Sequence, residues 1–232
     1  MSGIEPKQST SQTGQAQRTP LRVAVLVSGS GSNLQAIIDA VESQQLPDVE
    51  IVLVISNKAD AQGLQRALKH KLPAAYIPWK KQHIESEKRI SALLQLFQAD
   101  LIVLAGWMRI LSASFTAQFP QRIINLHPAL LPDDGAETYT TSDGTVIPAL
   151  RGLNVVEQAL EAGLKVTGSS VHYVIPAVDA GPVIGRAEIP IELGDTADIL
   201  HEKLKAQEHL LIVEAIRQHA KGTSDARSDA TL

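Results

Sequence analysis

The run Leu21-Arg-Val-Ala-Val-Leu-Val27 is followed at once by Ser28-Gly-Ser-Gly-Ser32 and then by apolar residues at Leu34, Ile37, Ile38 and Val41. This arrangement restricts the fold more than any other feature of the chain. A nearly unbroken apolar segment marks a strand buried on both faces, as in parallel sheets. The spacing i, i+3, i+4, i+7 gives one apolar stripe on a helix. Strand, glycine-rich turn and helix therefore follow one another, and the cycle recurs. Strands are predicted over 49–55, 74–77, 101–105 and 122–126, with helices over 61–71, 84–97 and 112–119 between them. A helix over 155–162, strands over 166–174 and 183–191, and a long helix over 196–220 complete the pattern. Alternation of this kind predicts an α/β fold, a doubly wound and mostly parallel twisted sheet with helices on both faces, whose ligands bind at the carboxyl ends of the strands.

Length bounds the domain count. A chain of 232 residues suits a single domain, expected over 21–220. Residues 1–20 are dominated by Gln, Ser, Thr, Gly and Pro and cannot bury a face, so they are expected to form a disordered tail; 221–232 share that composition and that expectation. The stretch 128–148 breaks the rhythm with Asp133, Asp134, Glu137 and Asp143 and no base. It reads as a long loop, centred on 133–148, polar and without a buried pattern, and hence as a mobile surface insertion.

Charge and cysteine content exclude several chemistries. A net charge of -4 and 3% aromatic residues supply neither the basic field nor the stacking surfaces of a nucleic-acid groove. No apolar stretch reaches the ~18 residues of a membrane span. With no cysteine, disulfides, thiolate zinc sites and a thiol nucleophile are excluded, in keeping with a cytoplasmic protein. His201, His209 and His219 on the closing helix lack carboxylates at metal-ligand spacing, so no metal is expected.

Three motifs fall at the ligand edge of the sheet. Gly31, Ser32 and Asn33 open the first helix, where free N–H groups and the helix dipole favour an anion. The spacing is not that of a dinucleotide fingerprint and no Lys follows the glycines, so a single phosphate fits better than NAD or a nucleotide triphosphate. The plain alternative is a tight turn with a Ser or Asn cap. Asn125 and His127 end the strand over 122–126 and, two residues apart, point to one side of it. An amide beside an imidazole can polarise a carbonyl and move a proton, although a histidine bonded to nearby backbone fits the same local sequence. Asp179 lies in Val178-Asp-Ala-Gly-Pro182, which taken alone is turn chemistry; placed near His127, its carboxylate raises the imidazole pKa.

Six segments, Ser-Gly-Ser-Gly-Ser-Asn-Leu-Gln-Ala-Ile, Ser-Asn-Lys-Ala-Asp-Ala, Leu-Ala-Gly-Trp-Met-Arg-Ile-Leu, Asn-Leu-His-Pro-Ala-Leu-Leu-Pro, Val-Asp-Ala-Gly-Pro-Val-Ile and Gln-Glu-His, resemble in order and spacing the phosphoribosylglycinamide formyltransferases. The resemblance spans most of 21–219. It implies a formyltransferase-like fold and the transfer of a formyl group from 10-formyltetrahydrofolate, a co-substrate, to the amine of glycinamide ribonucleotide in purine biosynthesis. No metal, nucleic acid or membrane takes part. By motif, Gly31, Ser32 and Asn33 would hold the substrate phosphate, Glu208 would meet the substrate, and Met108, Arg109, Ile110 and Leu111, with Asn125, would line the folate pocket. Asn125, His127 and Asp179 match the catalytic trio. Two departures stand out: the insertion over 133–148, and the absence of a clear counterpart to the folate-contacting arginine, for whose place Lys80, Lys81 and His83 compete. Sibling enzymes acting on methionyl-tRNA or hydrolysing formyl-folate share the trio but carry an additional domain. A non-catalytic phosphometabolite-binding module would keep the phosphate loop without needing the trio.

Overall fold

The first strand, β1 (Leu21–Val27), alternates its side chains between two apolar layers. Val23, Val25 and Val27 face one core and Ala24 and Leu26 the other, as a period-2 strand covered on both faces must. The computed structural model describes residues 19–80 and 83–229, except for the side chains of 223–229. The amino-terminal tail expected over 1–20 lies almost wholly outside the described residues.

Helix α1 (Ser32–Glu42) follows β1, then β2 (Val49–Ser56), α2 (Gln62–Lys69), β3 (Ala74–Tyr76), α3 (His83–Leu96), β4 (Leu101–Leu104), α4 (Ala113–Thr116) and β5 (Ile123–His127). After β5 come β6 (Thr138–Thr140), β7 (Val146–Pro148), α5 (Val155–Glu161), β8 (Val166–Tyr173), β9 (Val183–Pro190) and α6 (Ala197–Asp229). Seven strands form one sheet in the order β3-β2-β1-β4-β5-β8-β9. The first five are parallel, while β8 pairs antiparallel with β5 and with β9. The doubly wound expectation describes this sheet.

One core layer joins the sheet to α1, α2 and α6 through Leu34, Ile37, Ala67, Ile212 and Ile216. The other joins it to α3 and α4 through Ile90, Leu94 and Phe115. A smaller cluster of Val156, Ile189, Leu200 and Leu204 ties α5 and α6 to β9. The strand order reverses between β1 and β4, so the helices leaving these two strands pass to opposite faces, and a crevice opens at their carboxyl ends.

Two expectations are corrected. The stretch over 133–148 is not a plain loop: β6 and β7 pair antiparallel as a hairpin, with Tyr139 opposite Ile147. Asp143-Gly144 between two β-branched runs is a hairpin turn signal. Gly144 takes φ +88, and Asp143 Oδ1 accepts from Thr145 N at 2.9 Å. The segment has its own buried pattern in Ile147 and Thr141, and it docks on edge strand β9. There Glu188 accepts from Tyr139 Oη at 2.9 Å and from Ser142 N at 2.9 Å. At the other end, α6 runs nine residues past Ala220, through part of the segment expected to be a tail; that stretch holds no proline to stop it.

The central layers and the hairpin should differ sharply in what they contribute. Ile102→Ala, at a site fully removed from solvent in β4, is expected to lower the unfolding free energy by about 2–5 kcal/mol. Val146→Ala, on the exposed face of the hairpin, should change it by less than about 0.5 kcal/mol. Urea unfolding of both variants checks this, with an unchanged m-value as the sign that only stability has moved.

Candidate functional site

The carboxyl ends of β1, β4 and β5 meet at the crevice. After β1 the chain turns through Gly31, whose φ of +69 a side chain would strain. A Cβ there would lie 2.7 Å from the Gly63 Cα, so the first turn of α1 packs backbone to backbone against α2. Arg66 Nε holds the turn by donating to Ser30 O at 2.8 Å. No side chain caps α1. The capped-turn alternative is therefore absent, and the N–H groups of the first turn, Ser32 and Asn33 included, have no intrahelical acceptor.

Asn33 is buried, and its amide Nδ2 donates to Glu208 Oε2 at 3.1 Å, while its Oδ1 has no partner. Ser169 Oγ donates to the other Glu208 oxygen at 3.5 Å. The structure thus brings Gly31, Ser32, Asn33 and Glu208 to one place from β1, α1 and α6. One of the two hydrogens of the Asn33 amide is thus engaged by Glu208, and its main-chain N–H lies in the first turn of α1.

The strip after β4 is tied to the glycine-rich turn. Ser28 N donates to Gly106 O at 3.1 Å, and Ser28 Oγ accepts from Met108 N at 2.9 Å. Met108, Arg109 and Ile110 are exposed along the edge, whereas Leu111 is buried. The far end of the strip is pinned by the buried Glu87 carboxylate, which accepts from Ser112 N at 2.7 Å. This strip makes no hydrogen bond to Asn125, His127 or Asp179, but it adjoins them through the pairing of Leu104 with Asn125. Of the residues considered for the missing arginine, Lys80 is exposed, His83 stacks on Trp79 with ring centres 5.5 Å apart, and Lys81 lies outside the described residues.

Asn125, His127 and Asp179 come together. Asn125 Nδ2 donates to Asp179 Oδ1 at 3.4 Å, and His127 Nδ1 lies 3.5 Å from Asp179 Oδ2. The His127 Nε2–H donates to Leu150 O at 2.9 Å. With its hydrogen on Nε2, the neutral ring turns a lone pair at Nδ1 toward the carboxylate; protonation converts that contact into an ion pair. His127 is 3% exposed. Burial depresses its pKa more than the Asp179 charge and the Leu150 carbonyl raise it, so the net direction is down. The upward shift expected from Asp179 alone is corrected here, because desolvation of a buried imidazolium outweighs the single neighbouring charge. Asp179 moves down as well. Burial pushes its carboxyl up, but the His172 ring, the His127 ring and the Gly152 N–H together hold it below the ordinary range.

Sequence reasoning missed several members of this cluster. His172 is 2% exposed in β8, and its Nε2 lies 3.2 Å from Asn125 Nδ2 and 3.4 Å from Asp179 Oδ1. That nitrogen accepts from the amide when bare and donates to the carboxylate when protonated. His172 stands opposite Asn125 in the β5–β8 register, a relation that no local pattern in an apolar strand announces. Gly152 N donates to Asp179 Oδ2 at 2.9 Å, which places the segment after the hairpin against the trio. Among the described residues, no group of three or more His, Asp or Glu side chains is arranged to hold a metal ion, and no helix is long and apolar enough to cross a membrane.

Known proteins resemble this chain in sequence and in fold. The phosphoribosylglycinamide formyltransferase of Haemophilus influenzae is 38% identical over 203 residues, covering 87% of this chain and 88% of its own. The human trifunctional purine biosynthetic protein adenosine-3 is 39% identical over 209 residues; the match takes in 89% of this chain, which spans only 19% of that protein's length. Among solved structures, glycinamide ribonucleotide transformylase 1 from Symbiobacterium toebii superposes with a TM-score of 0.78 at 37% identity, covering 89% of this chain and 90% of that one. The family described as formyl transferase matches residues 21–216. That match runs from the first residue of β1 into α6, and so takes in the glycine-rich turn, the strip after β4, the polar trio and Glu208: the chain belongs to the formyl transferase family.

Proposed function

We propose that this chain transfers the formyl group of 10-formyltetrahydrofolate to the amine of glycinamide ribonucleotide. The observation that carries the proposal is the convergence of Asn125, His127 and Asp179 beside an uncapped helix N-terminus. A phosphate at the first turn of α1 is held by the N–H groups of Gly31, Ser32 and Asn33, and Glu208 receives the sugar or amine end of the same substrate. Formyl-folate lies along Met108, Arg109, Ile110 and Leu111 with its formyl group directed at Asn125.

The chemistry follows from donors and acceptors. The amine lone pair attacks the formyl carbon, and the carbonyl oxygen becomes an oxyanion. Asn125 Nδ2–H and His127 Nε2–H stabilise it, the latter exchanging the Leu150 carbonyl for the incoming oxygen. Asp179 sustains the protonated ring. Collapse of the tetrahedral species breaks the bond from carbon to the folate nitrogen, which takes up the proton given up by the amine. His127 and Asp179 form the relay for that proton, through water where they do not reach it directly.

The direct experiment is folate-dependent formyl transfer to glycinamide ribonucleotide by the purified chain; no turnover would overturn the proposal. Two variants test its parts. Asp179→Asn removes the charge that opposes the effect of burial, so the His127 pKa falls further and the alkaline limb of kcat/KM moves to lower pH, with activity down by about a hundredfold or more. An unmoved limb would detach Asp179 from His127. Asn33→Ala, which frees Glu208 and disturbs the anion turn, should raise KM for the phosphorylated substrate by roughly tenfold, the scale of one hydrogen bond to a charged group. Because the phosphate is remote from the bond being made, kcat should change little. Equal use of a phosphate-free analogue by the unaltered protein would remove the phosphate from the site.

A further inference from the structure

The insertion over 133–148 leaves the sheet after β5, and the segment that returns touches the trio at Leu150, Arg151 and Gly152. Leu150 O accepts from His127, and Gly152 N donates to Asp179 Oδ2. Between them, the Arg151 guanidinium joins two backbones. Its Nε donates to Asp179 O at 3.2 Å, and its Nη2 donates to Gly135 O at 2.9 Å and to Ala136 O at 2.6 Å. Its side chain is 19% exposed, and its one carboxylate neighbour, Glu137, stands 3.7 Å away and is almost wholly exposed.

Asp179 has φ +48, a conformation that costs a non-glycine residue about 1–3 kcal/mol and persists only where the surroundings fix it. The following turn is equally confined. A Cβ on Gly181 would strike Tyr173 O at 1.9 Å, and Gly135 at the root of the insertion approaches Ala180 O to 3.4 Å on the same measure. The carboxylate therefore reaches His127 and His172 from a backbone held at its carbonyl by Arg151.

We propose that Arg151 is a positioning residue for the formyl-transfer reaction: its guanidinium fastens the root of the hairpin insertion to the Asp179 carbonyl, and so fixes the carboxylate against His127. This rests on the formyl-transfer reading of the trio. The hairpin, a departure from the family's usual chain length, is thereby a buttress for the catalytic turn. A planar fork suits the task, because one side chain must donate to carbonyls of two separate segments; an ammonium on a flexible stem presents no such fork.

The ionisable groups that face the Asp179–His127 contact are His172 on β8, Arg151 on the segment returning from the insertion, and Glu208 on α6; the exposed Glu137 carboxylate stands behind Arg151. The test follows His127 directly, by NMR titration of the labelled imidazole in the full chain, beside kcat and KM. The proteins are the unaltered chain, Arg151→Ala, Arg151→Lys, Asp179→Asn and the double variant. If Arg151 acts through Asp179, Arg151→Ala shifts the His127 titration down toward that of Asp179→Asn. It also lowers kcat by about tenfold or more while KM for the phosphorylated substrate stays within about twofold, the pattern of an interaction made in the transition state. Arg151→Lys keeps the charge and the fold but recovers neither quantity, and the double variant is no worse than Asp179→Asn, as expected of residues acting as a unit. A His127 titration that Asp179→Asn moves and both Arg151 variants leave in place overturns the proposal, and so does one that Asp179→Asn itself fails to move. If Asp179→Asn moves the titration yet leaves formyl transfer intact, the catalytic reading of the trio fails while the positioning role stands on the titration of the Arg151 variants.

Discussion

Parallel pairing of β1 with β2 on one side and with β4 on the other is the constraint from which the site follows. Two strands that leave a sheet in the same direction, with their helices on opposite faces, part at their carboxyl ends and cannot close the gap with side chains of their own. Ser28 spans that gap through hydrogen bonds to Gly106 and Met108. The glycine-rich turn lies on one bank, the strip from Met108 to Leu111 on the other, and Asn125 follows on the next strand. The glycine-rich turn, the strip after β4 and Asn125 share one crevice because one reversal of strand order exposes three strand ends together.

The polar cluster needs a second device. His127 and His172 are almost fully buried, and burying polar rings without partners is costly. The antiparallel strand β8 supplies those partners. It sets His172 opposite Asn125 and Ser170 opposite His127, and Ser170 Oγ in turn donates to Ala129 O and accepts from Leu131 N, fixing the chain that leaves β5. The loop from β8 to β9 then folds back so that Asp179 meets both rings. His127 Nε2–H, Asn125 Nδ2 and His172 thus each find a partner, and the contact of His127 Nδ1 with Asp179 becomes an ion pair when the ring is protonated.

Much of this was legible in the chain, and the boundary has physical causes. The strands, the glycine-rich turn and the helix stripes are local patterns, so period and turn chemistry suffice to find them. Asn125 and His127 could be paired from alternation alone. The Asn33–Glu208 bond, separated by 175 positions, and the His172–Asn125 pairing depend on register and on which helix crosses which strand, so only the resemblance pointed to Glu208 and nothing pointed to His172. Asp179 read locally as a turn residue, and it is one, in a left-handed conformation; its role comes from where the turn is held. The hairpin of 138–148 did carry a local signal in Asp143-Gly144, which the polar composition around it masked.

The His127 site shows why neither the sequence nor the ion pair alone gives its acidity. A carboxylate at 3.5 Å favours the charged ring, and a motif-level argument stops there. Yet the fold that brings the carboxylate near also removes the ring from water, and the second effect is larger. The consequence is a ring whose neutral form is favoured more than in a free imidazole, with its Nε2–H on a carbonyl and its Nδ1 facing a carboxylate. In the proposed reaction an oxyanion at Nε2 would tip that balance toward the charged ring, since its negative charge would add to that of Asp179, and the ring would hold the proton most firmly while the oxyanion lasts. Such a device depends on fixed geometry, and the parts around it hold that geometry through bonds to the main chain: the Ser170 hydroxyl to Ala129 O and Leu131 N, the Gly152 N–H to the Asp179 carboxylate, and the Arg151 guanidinium to the carbonyls of Asp179, Gly135 and Ala136.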